Sequence, residues 1–237
     1  MSALVSLIFF LTPEAPYLAP YLETSIEEAG SNPRHADCIR LVAKDLEIGR
    51  IAAQQWTVEG GGMAAQHCLA IADLAAGFPR LAAARLVDIA EKKDVGDVTV
   101  QARLWTQAAL AWLDANDAAE ATAAIEKAIA LEPGNAATRI IAAKVYSAAD
   151  RWQLAEDAIT DAKSYGIETP EGFVIRARAR RALGRDMAAA EDVANALNID
   201  PFNLDALVIR GELQQAGINI EAYYGDNDDT EEEFGVE

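Results

Sequence analysis

The chain has 237 residues, of which 51% are hydrophobic, so it is long enough to bury a sizeable core. Its 38 acidic and 20 basic residues give a formal net charge of -18, which would repel a phosphate backbone and argues against nucleic acid as a partner. No Walker loop, dinucleotide glycine signature or serine-nucleophile motif occurs in the sequence, and we therefore expect neither catalysis nor a cofactor.

Residues 1–29 form an apolar N-terminal segment and a linker. The apolar run from Ala3 to Leu11 has nine residues and ends at Thr12 and Pro13, whereas a transmembrane helix needs roughly 20. We therefore expect no transmembrane span. The run has the length of a secretory signal core but lacks the basic residues that precede one. Two interpretations stay open: export to the periplasm, or a cytoplasmic protein whose N-terminus packs back onto the rest of the chain.

Two weaker helical hairpins are predicted over residues 30–62 and 63–101. In the first, Asp45 is a candidate N-cap between two helices. If the chain instead formed one continuous helix, Cys38 would lie about 18 Å along the axis from Cys68, and no bridge could form. If the turn at Asp45 forms, the two cysteines lie within about one helical turn of each other. In that case we expect a Cys38–Cys68 disulfide in an oxidising compartment.

The two histidines, His35 and His67, lie close to these cysteines in the sequence. A His-x-x-Cys pair beside a His-Cys pair could supply four zinc ligands. However, His67 and Cys68 are adjacent on a predicted helix, so their side chains point about 100° apart. We therefore expect surface and packing roles for these residues, and no metal site.

The chain from residue 102 onward is organised by a repeat with a period of roughly 34 residues, which lies in the range of helical solenoids. Two similar segments end in acid-proline pairs, at Pro133 and Pro201, and their separation is two such periods. The best repeats are therefore 102–135, 136–169 and 170–203. Two antiparallel helices approach closely only where small residues meet, while bulky neighbours fill the flanking space. The residues expected to play these structural parts are Trp105, Trp112, Ala121, Tyr146, Ala155, Phe173 and Ala189, with Pro133 and Pro201 after the second helices.

This pattern resembles the tetratricopeptide repeat. The resemblance implies an all-α, right-handed superhelical solenoid of antiparallel helix hairpins over residues 30–217. Arg139 and Arg180 stand where the family usually has an aromatic residue, and Ile167 stands where it has the proline. A last helix over 204–216, with polar side chains on its outer positions, is expected to cap the open end of the solenoid.

Residues 218–237 form an acidic tail. From Glu221 to the C-terminus the sequence contains eight acids and no base. Few apolar side chains are present to offset the entropy of ordering such a stretch. We therefore expect the tail to be disordered.

The resemblance also implies a function. Proteins of this family are non-catalytic scaffolds or adaptors that hold a peptide or helix of a partner in a concave groove, lined by the first helix of each repeat. The corresponding residues here are Arg103, Thr106, Leu110, Ile140, Lys144, Val174, Arg178 and Arg181. The lysine and asparagine set with which co-chaperones of the family bind a C-terminal carboxylate is missing. The mixture of apolar and basic side chains predicts a protein partner with an acidic or amphipathic segment. The alternative is a structural subunit or assembly factor of a larger, envelope-associated complex.

A run of five arginines lies within the third repeat, at Arg176, Arg178, Arg180, Arg181 and Arg185. Its spacing spreads the side chains around a helix, so they cannot all face the groove. One interpretation is a set of exposed guanidinium groups with buried aliphatic stems. The other is a site for an acidic ligand.

Overall fold

The computed structural model describes residues 32–93 and 95–220. The predicted N-terminal segment of residues 1–29 and the part of the predicted tail from residue 221 onward lie outside the described residues. The chain divides between Val95 and Gly96 into two compact units.

The first unit contains four helices in its described part. They are α1 (Pro33–Lys44), α2 (Leu46–Val58), α3 (Gly62–Ala75) and α4 (Pro79–Ala90). Each helix packs against the next, and α1 also contacts α3. The unit is therefore built from two helical hairpins whose first helices, α1 and α3, lie side by side.

The break between α1 and α2 occurs at Asp45. Its backbone is extended, and its carboxylate accepts a hydrogen bond of 3.0 Å from the backbone N–H of Ile48. This N-cap satisfies one of the free N–H groups at the start of α2. The two helices then pack closely at Gly49, where a Cβ atom would lie 2.5 Å from the Cα of Val42. A larger residue at this position would push the hairpin apart.

The second unit contains seven helices in its described part. They are α5 (Val98–Asp114), α6 (Ala118–Leu131), α7 (Ala136–Ala148), α8 (Trp152–Ser164), α9 (Pro170–Ala182), α10 (Asp186–Ile199) and α11 (Leu204–Gln215). The pairs α5–α6, α7–α8 and α9–α10 form hairpins, and the first helices α5, α7, α9 and α11 contact one another in sequence. Each hairpin therefore repeats the arrangement of the one before it.

Small residues lie where the two helices of each hairpin meet. Ala121, Ala155 and Ala189 occupy the same position in successive repeats and are fully buried. The turns follow the same spacing, since Asn116, Asp150 and Gly184 all adopt positive φ angles of 55°, 55° and 73°. Asparagine, aspartate and glycine are the residues that tolerate this left-handed conformation best. The period found in the sequence is thus present in both the packing and the turns.

The C-terminal end of the second unit is covered by a short segment of chain. Helix α11 packs on α10 and α9, and the chain turns after it at Gly217. Beyond the turn, Ile218 and Ile220 pack with Leu207 against the buried cluster that includes Val193 and Leu213. This contact shields apolar surface that a further helix would otherwise cover.

The prediction of an all-α fold made of helix hairpins is confirmed. The described residues contain helices, turns and bends but no strand. Among the described helices, none has the length and apolar character needed to cross a membrane.

Candidate partner-binding groove

The predicted groove residues lie on the first helices of the second unit. Helix α5 carries Arg103, Thr106 and Leu110, helix α7 carries Ile140 and Lys144, and helix α9 carries Val174, Arg178 and Arg181. Three of them, Lys144, Val174 and Arg178, line a cavity of about 480 Å³ that extends across α7, α9 and the start of α11. The other lining residues are Glu171, Ile175, Asn203 and Asp205.

The cations of this cavity are paired with acids of the following repeat. Lys144 Nζ lies 2.6 Å from a carboxylate oxygen of Glu171, and Arg178 Nη2 lies 2.6 Å from Asp205 Oδ1. Arg181 forms a third ion pair of this kind with Glu212. The cavity therefore presents cation and carboxylate side by side.

The remaining predicted residues do not line this cavity. Thr106 is buried, and its hydroxyl donates a hydrogen bond of 2.9 Å to the backbone carbonyl of Ala102. Ile140 lines a much smaller cavity of about 10 Å³ next to Phe173 and Arg176. A volume of this size holds about one water molecule and excludes a peptide side chain.

The acidic residues of the cavity can be recognised in the sequence by their constant separation from the cations they pair with. Lys144 and Glu171 are 27 residues apart, and so are Arg178 and Asp205. In the register of the repeat this spacing joins position 9 of one repeat to position 2 of the next, on neighbouring first helices. The pairs can therefore be found by comparing positions between repeats.

The arginine run divides between the groove and the interior. Arg178 lines the cavity and Arg181 pairs with Glu212, but Arg176 is buried and donates to Asp192 over 3.0 and 2.7 Å. Arg180 Nη1 lies 2.9 Å from the same carboxylate of Asp192, and its Nε donates over 2.9 Å to Glu156. Buried ion pairs of this kind require good geometry to offset the cost of removing charge from water. Neither sequence-based interpretation describes this internal network.

The first unit contains a similar buried acid. Asp73 on α3 is completely buried and accepts hydrogen bonds of 2.8 Å from Arg50 on α2 and from Arg85 on α4. The single carboxylate thus links three consecutive helices. Asp73 has a structural role, since its fully buried carboxylate is not accessible to a ligand.

Histidines and cysteines meet between α1 and α3. Cys38 and Cys68 are joined by a disulfide with a Cα–Cα distance of 6.3 Å. His35 Nε2 lies 3.0 Å from His67 Nδ1, and both rings are buried. Burial, together with the neighbouring His67, lowers the pKa of His35 to about 4.

This histidine pair predicts a pH dependence of stability. In the unfolded chain the pKa of His35 is 6.5, so the unfolded state binds more protons than the folded state between pH 6.5 and about 4. The free energy of unfolding is expected to fall as the pH is lowered through this window, by up to about 2 kcal/mol between pH 6.5 and 5. Urea unfolding at both pH values measures the change.

A His35→Gln variant is the matched control, because it removes this titration and leaves the carboxylates unchanged. The chain has only two histidines, so their ring signals in an NMR titration report this pair directly. Equal pH dependence in the wild type and in His35→Gln would contradict the prediction.

The comparisons with known proteins bear on the fold. No protein-family model and no curated protein matches the sequence. A crystal structure of a thermophilic tetratricopeptide-repeat protein from Thermus thermophilus is similar, with a TM-score of 0.54 and 17% sequence identity. The match covers 75% of this chain and 95% of that chain. The chain thus has a tetratricopeptide-like fold, and the resemblance found in the sequence is confirmed at the level of the fold.

Proposed function

We propose that this protein is a non-catalytic scaffold that holds a segment of a partner protein in the cavity of α7, α9 and α11. Tetratricopeptide-like repeats serve in general as surfaces for binding other proteins. The observation that carries the proposal is the cavity of about 480 Å³ at the position where the family binds peptides. Its volume is in the range of sites that hold small ligands or several side chains.

The ion pairs of the cavity indicate an acidic segment as the ligand. The Lys144 and Glu171 side chains are partly exposed, and those of Arg178 and Asp205 are more exposed still. Exposed ion pairs contribute only about 0 to 1 kcal/mol to stability. A carboxylate of the partner can therefore replace Glu171 or Asp205 on the cation with little loss to the fold.

Exposed apolar side chains close in sequence to the cavity residues Asn203 and Asp205 favour an amphipathic segment. Leu204 and Val208 flank Asp205 on α11, and Phe202 lies in the turn before the helix. All three are highly exposed. Their burial against a partner would contribute about 25 cal/mol for each Å² of apolar surface removed from water. An acidic segment with an apolar side fits both features.

Selection of peptides from a random display library on the full chain tests this proposal. We expect the selected peptides to combine acidic and apolar residues, and their affinity to fall as salt is raised. Lys144→Glu and Arg178→Glu should each weaken binding at least tenfold. The matched control is Arg151→Glu, since Arg151 is also exposed and paired, with Glu126, but lies outside the cavity. Equal loss in the control, or selected peptides without acidic residues, would overturn the proposal.

A further inference from the structure

One face of helix α11 carries large apolar side chains that are exposed. Leu204, Val208, Gly211 and Gln215 follow one another at spacings of four, three and four residues, which places them on one face of the helix. Leu204 is 78% exposed and Val208 is 59% exposed. The opposite face of α11 is buried against α9 and α10. We call these four residues the outer stripe of α11.

The corresponding positions are covered in the earlier repeats. Val174 stands one repeat before Val208 and is buried. The residues that stand at the position of Gly211 are small and completely buried, namely Ala109, Ala143 and Ala177. Each of these first helices contacts its own second helix and the first helix of the next repeat. Within the described residues, no further helix follows α11 to cover its outer stripe.

The outer stripe has a hollow at Gly211, next to the bulky side chain of Val208. Among the described residues, no atom lies within 4 Å of the point where a Cβ atom of Gly211 would stand, apart from its chain neighbours and the backbone of its own helix. Two helices pack by placing the side chains of one into the spaces between side chains of the other. The outer stripe therefore offers both a space and a side chain that fits such a space.

We propose that the outer stripe binds the outer stripe of a second copy of this chain, with the two α11 helices antiparallel about a twofold axis. The spacing of four, three and four residues reads the same in both directions. Reversal therefore pairs Val208 of each copy with Gly211 of the other, and Leu204 with Gln215. A twofold interface requires a surface that is complementary to itself in this way. The second copy continues the series of first helices that contact one another from α5 to α11.

Charge and area predict a weak association. The outer stripe contains no charged residue, and Asp205 and Glu212 beside it are each paired with an arginine of the same chain. The net charge of -18 nevertheless makes two copies repel each other. A helix of 12 residues is about 18 Å long and about 10 Å wide, so the contact stays below the roughly 1,200 Å² of a standard interface. We therefore expect a dissociation constant in the micromolar range or above.

This association goes beyond the proposed function but shares residues with it. The second copy covers Leu204 and Val208, which are close in sequence to the cavity residue Asp205. A peptide that also covers these side chains competes with the second copy. Association is measured on the protein alone, without peptide. Its failure therefore leaves the proposed function standing, and failure of peptide binding leaves the association standing.

Sedimentation equilibrium of the full chain, from micromolar to millimolar protein, tests the proposal. We expect the average mass to rise with concentration from that of one chain toward that of two. Association should strengthen as salt is raised, because salt screens the repulsion between two acidic copies. This salt dependence is opposite to that expected for an acidic peptide in the groove. A protein that stays monomeric at every concentration, or whose association weakens with salt, overturns the proposal.

Gly211→Glu fills the hollow and places like charges at the twofold axis. Because a side chain at this position meets open space in the single chain, the variant should keep its helix content and unfold at no lower temperature. We expect its self-association to be at least tenfold weaker, and that of Val208→Glu likewise. Met187→Glu is the matched control, since Met187 on α10 is also highly exposed but lies outside the outer stripe. Equal loss in the control overturns the proposal.

Added cysteines determine the orientation of the two helices. The two native cysteines are bonded to each other, so a thiol introduced at Leu204 or at Gln215 reacts separately from them. Leu204→Cys and Gln215→Cys proteins are mixed and oxidised. The antiparallel arrangement brings these two positions together, whereas identical positions lie about 16 Å apart along the axis. We therefore expect cross-links between the two variants, and faster cross-linking within either variant alone overturns the proposal.

Discussion

Replacing Asp192 by asparagine is expected to lower the free energy of unfolding by about 3 to 5 kcal/mol. The side chain of Asp192 is 1% exposed and accepts from Arg176, whose side chain is 7% exposed, and from Arg180. Asparagine has nearly the same shape but no charge. The guanidinium group of Arg176 would then remain buried without its counter-ion, which is among the most destabilising changes a protein interior can undergo.

Asp205→Asn is the matched control for this experiment. Asp205 also pairs with an arginine, Arg178, over 2.6 Å, but their side chains are 65% and 49% exposed. An exposed ion pair contributes about 0 to 1 kcal/mol, so this variant should unfold almost as the wild type does. Urea unfolding followed by circular dichroism gives both values. Similar losses in the two variants would show that burial of the Asp192 network does not stabilise the fold.

Replacing Cys38 and Cys68 together by alanine is expected to cost roughly 4 kcal/mol of unfolding free energy. The disulfide closes a loop between residues 30 positions apart. Without it, the unfolded chain gains the conformational entropy that the cross-link removes, and a loop of this length corresponds to roughly 4 kcal/mol at about 25 °C. The loss should appear as a lower urea midpoint and as faster amide exchange in α1 and α3.

Reduction of the disulfide in the wild-type protein is the control for the double alanine variant. Adding a phosphine to the wild type, with a chelator present to exclude metal, should reproduce most of the loss of stability. The same addition should leave the double alanine variant unchanged, because it has no disulfide to break. If the reductant lowers the urea midpoint of both proteins equally, the loss does not come from this bond.

Much of the hairpin architecture could be predicted from the sequence, because close packing and turn geometry each require particular residue types. Alanine at positions 121, 155 and 189 permits the close approach of two helices. Asparagine, aspartate or glycine at positions 116, 150 and 184 permits the left-handed turn between them. These requirements are local and recur in each of the three best repeats, so they remain visible even at 17% identity to a solved structure of the same fold.

The repeats depart from the family pattern where polar contacts replace aromatic packing. Arg139 stands at a usual aromatic position, and it donates to the backbone carbonyl of Pro133 and pairs with Asp161 over 3.1 Å. Arg180 stands at another and contacts Glu156 and Asp192. The acidic partners come from neighbouring helices, and Pro133 comes from the turn before α7, at irregular separations in the sequence. Residue spacing within one helix therefore could not reveal them.

In the groove and in the first hairpin, too, contacts between separate segments of the chain decide features that residue spacing within one helix does not show. The first helices could be assigned to the groove from the repeat register, but the pairing of Lys144 and Arg178 with acids becomes visible only when positions are compared between successive repeats. In the first hairpin, the sequence left a continuous helix and a turn at Asp45 as alternatives. The turn depends on the N-cap hydrogen bond that the backbone N–H of Ile48 donates to the Asp45 carboxylate, together with the close packing at Gly49. Only the folded hairpin combines these two interactions.

The spacing of the groove ion pairs constrains how such a chain can lengthen by duplication. Each pair takes its cation from one repeat and its acid from the next, as in Lys144–Glu171 and Arg178–Asp205. A tandem copy of residues 170–203 would bring an acid at position 2 and a cation at position 9, so the pairing of these two positions would be repeated, although Arg181 would meet a second Arg178 in place of Glu212. A copy of residues 136–169 would place Ala137 opposite Lys144 and leave that lysine unmatched. Internal duplication of the third repeat therefore preserves the pairing of position 9 with position 2, whereas duplication of the second repeat interrupts it.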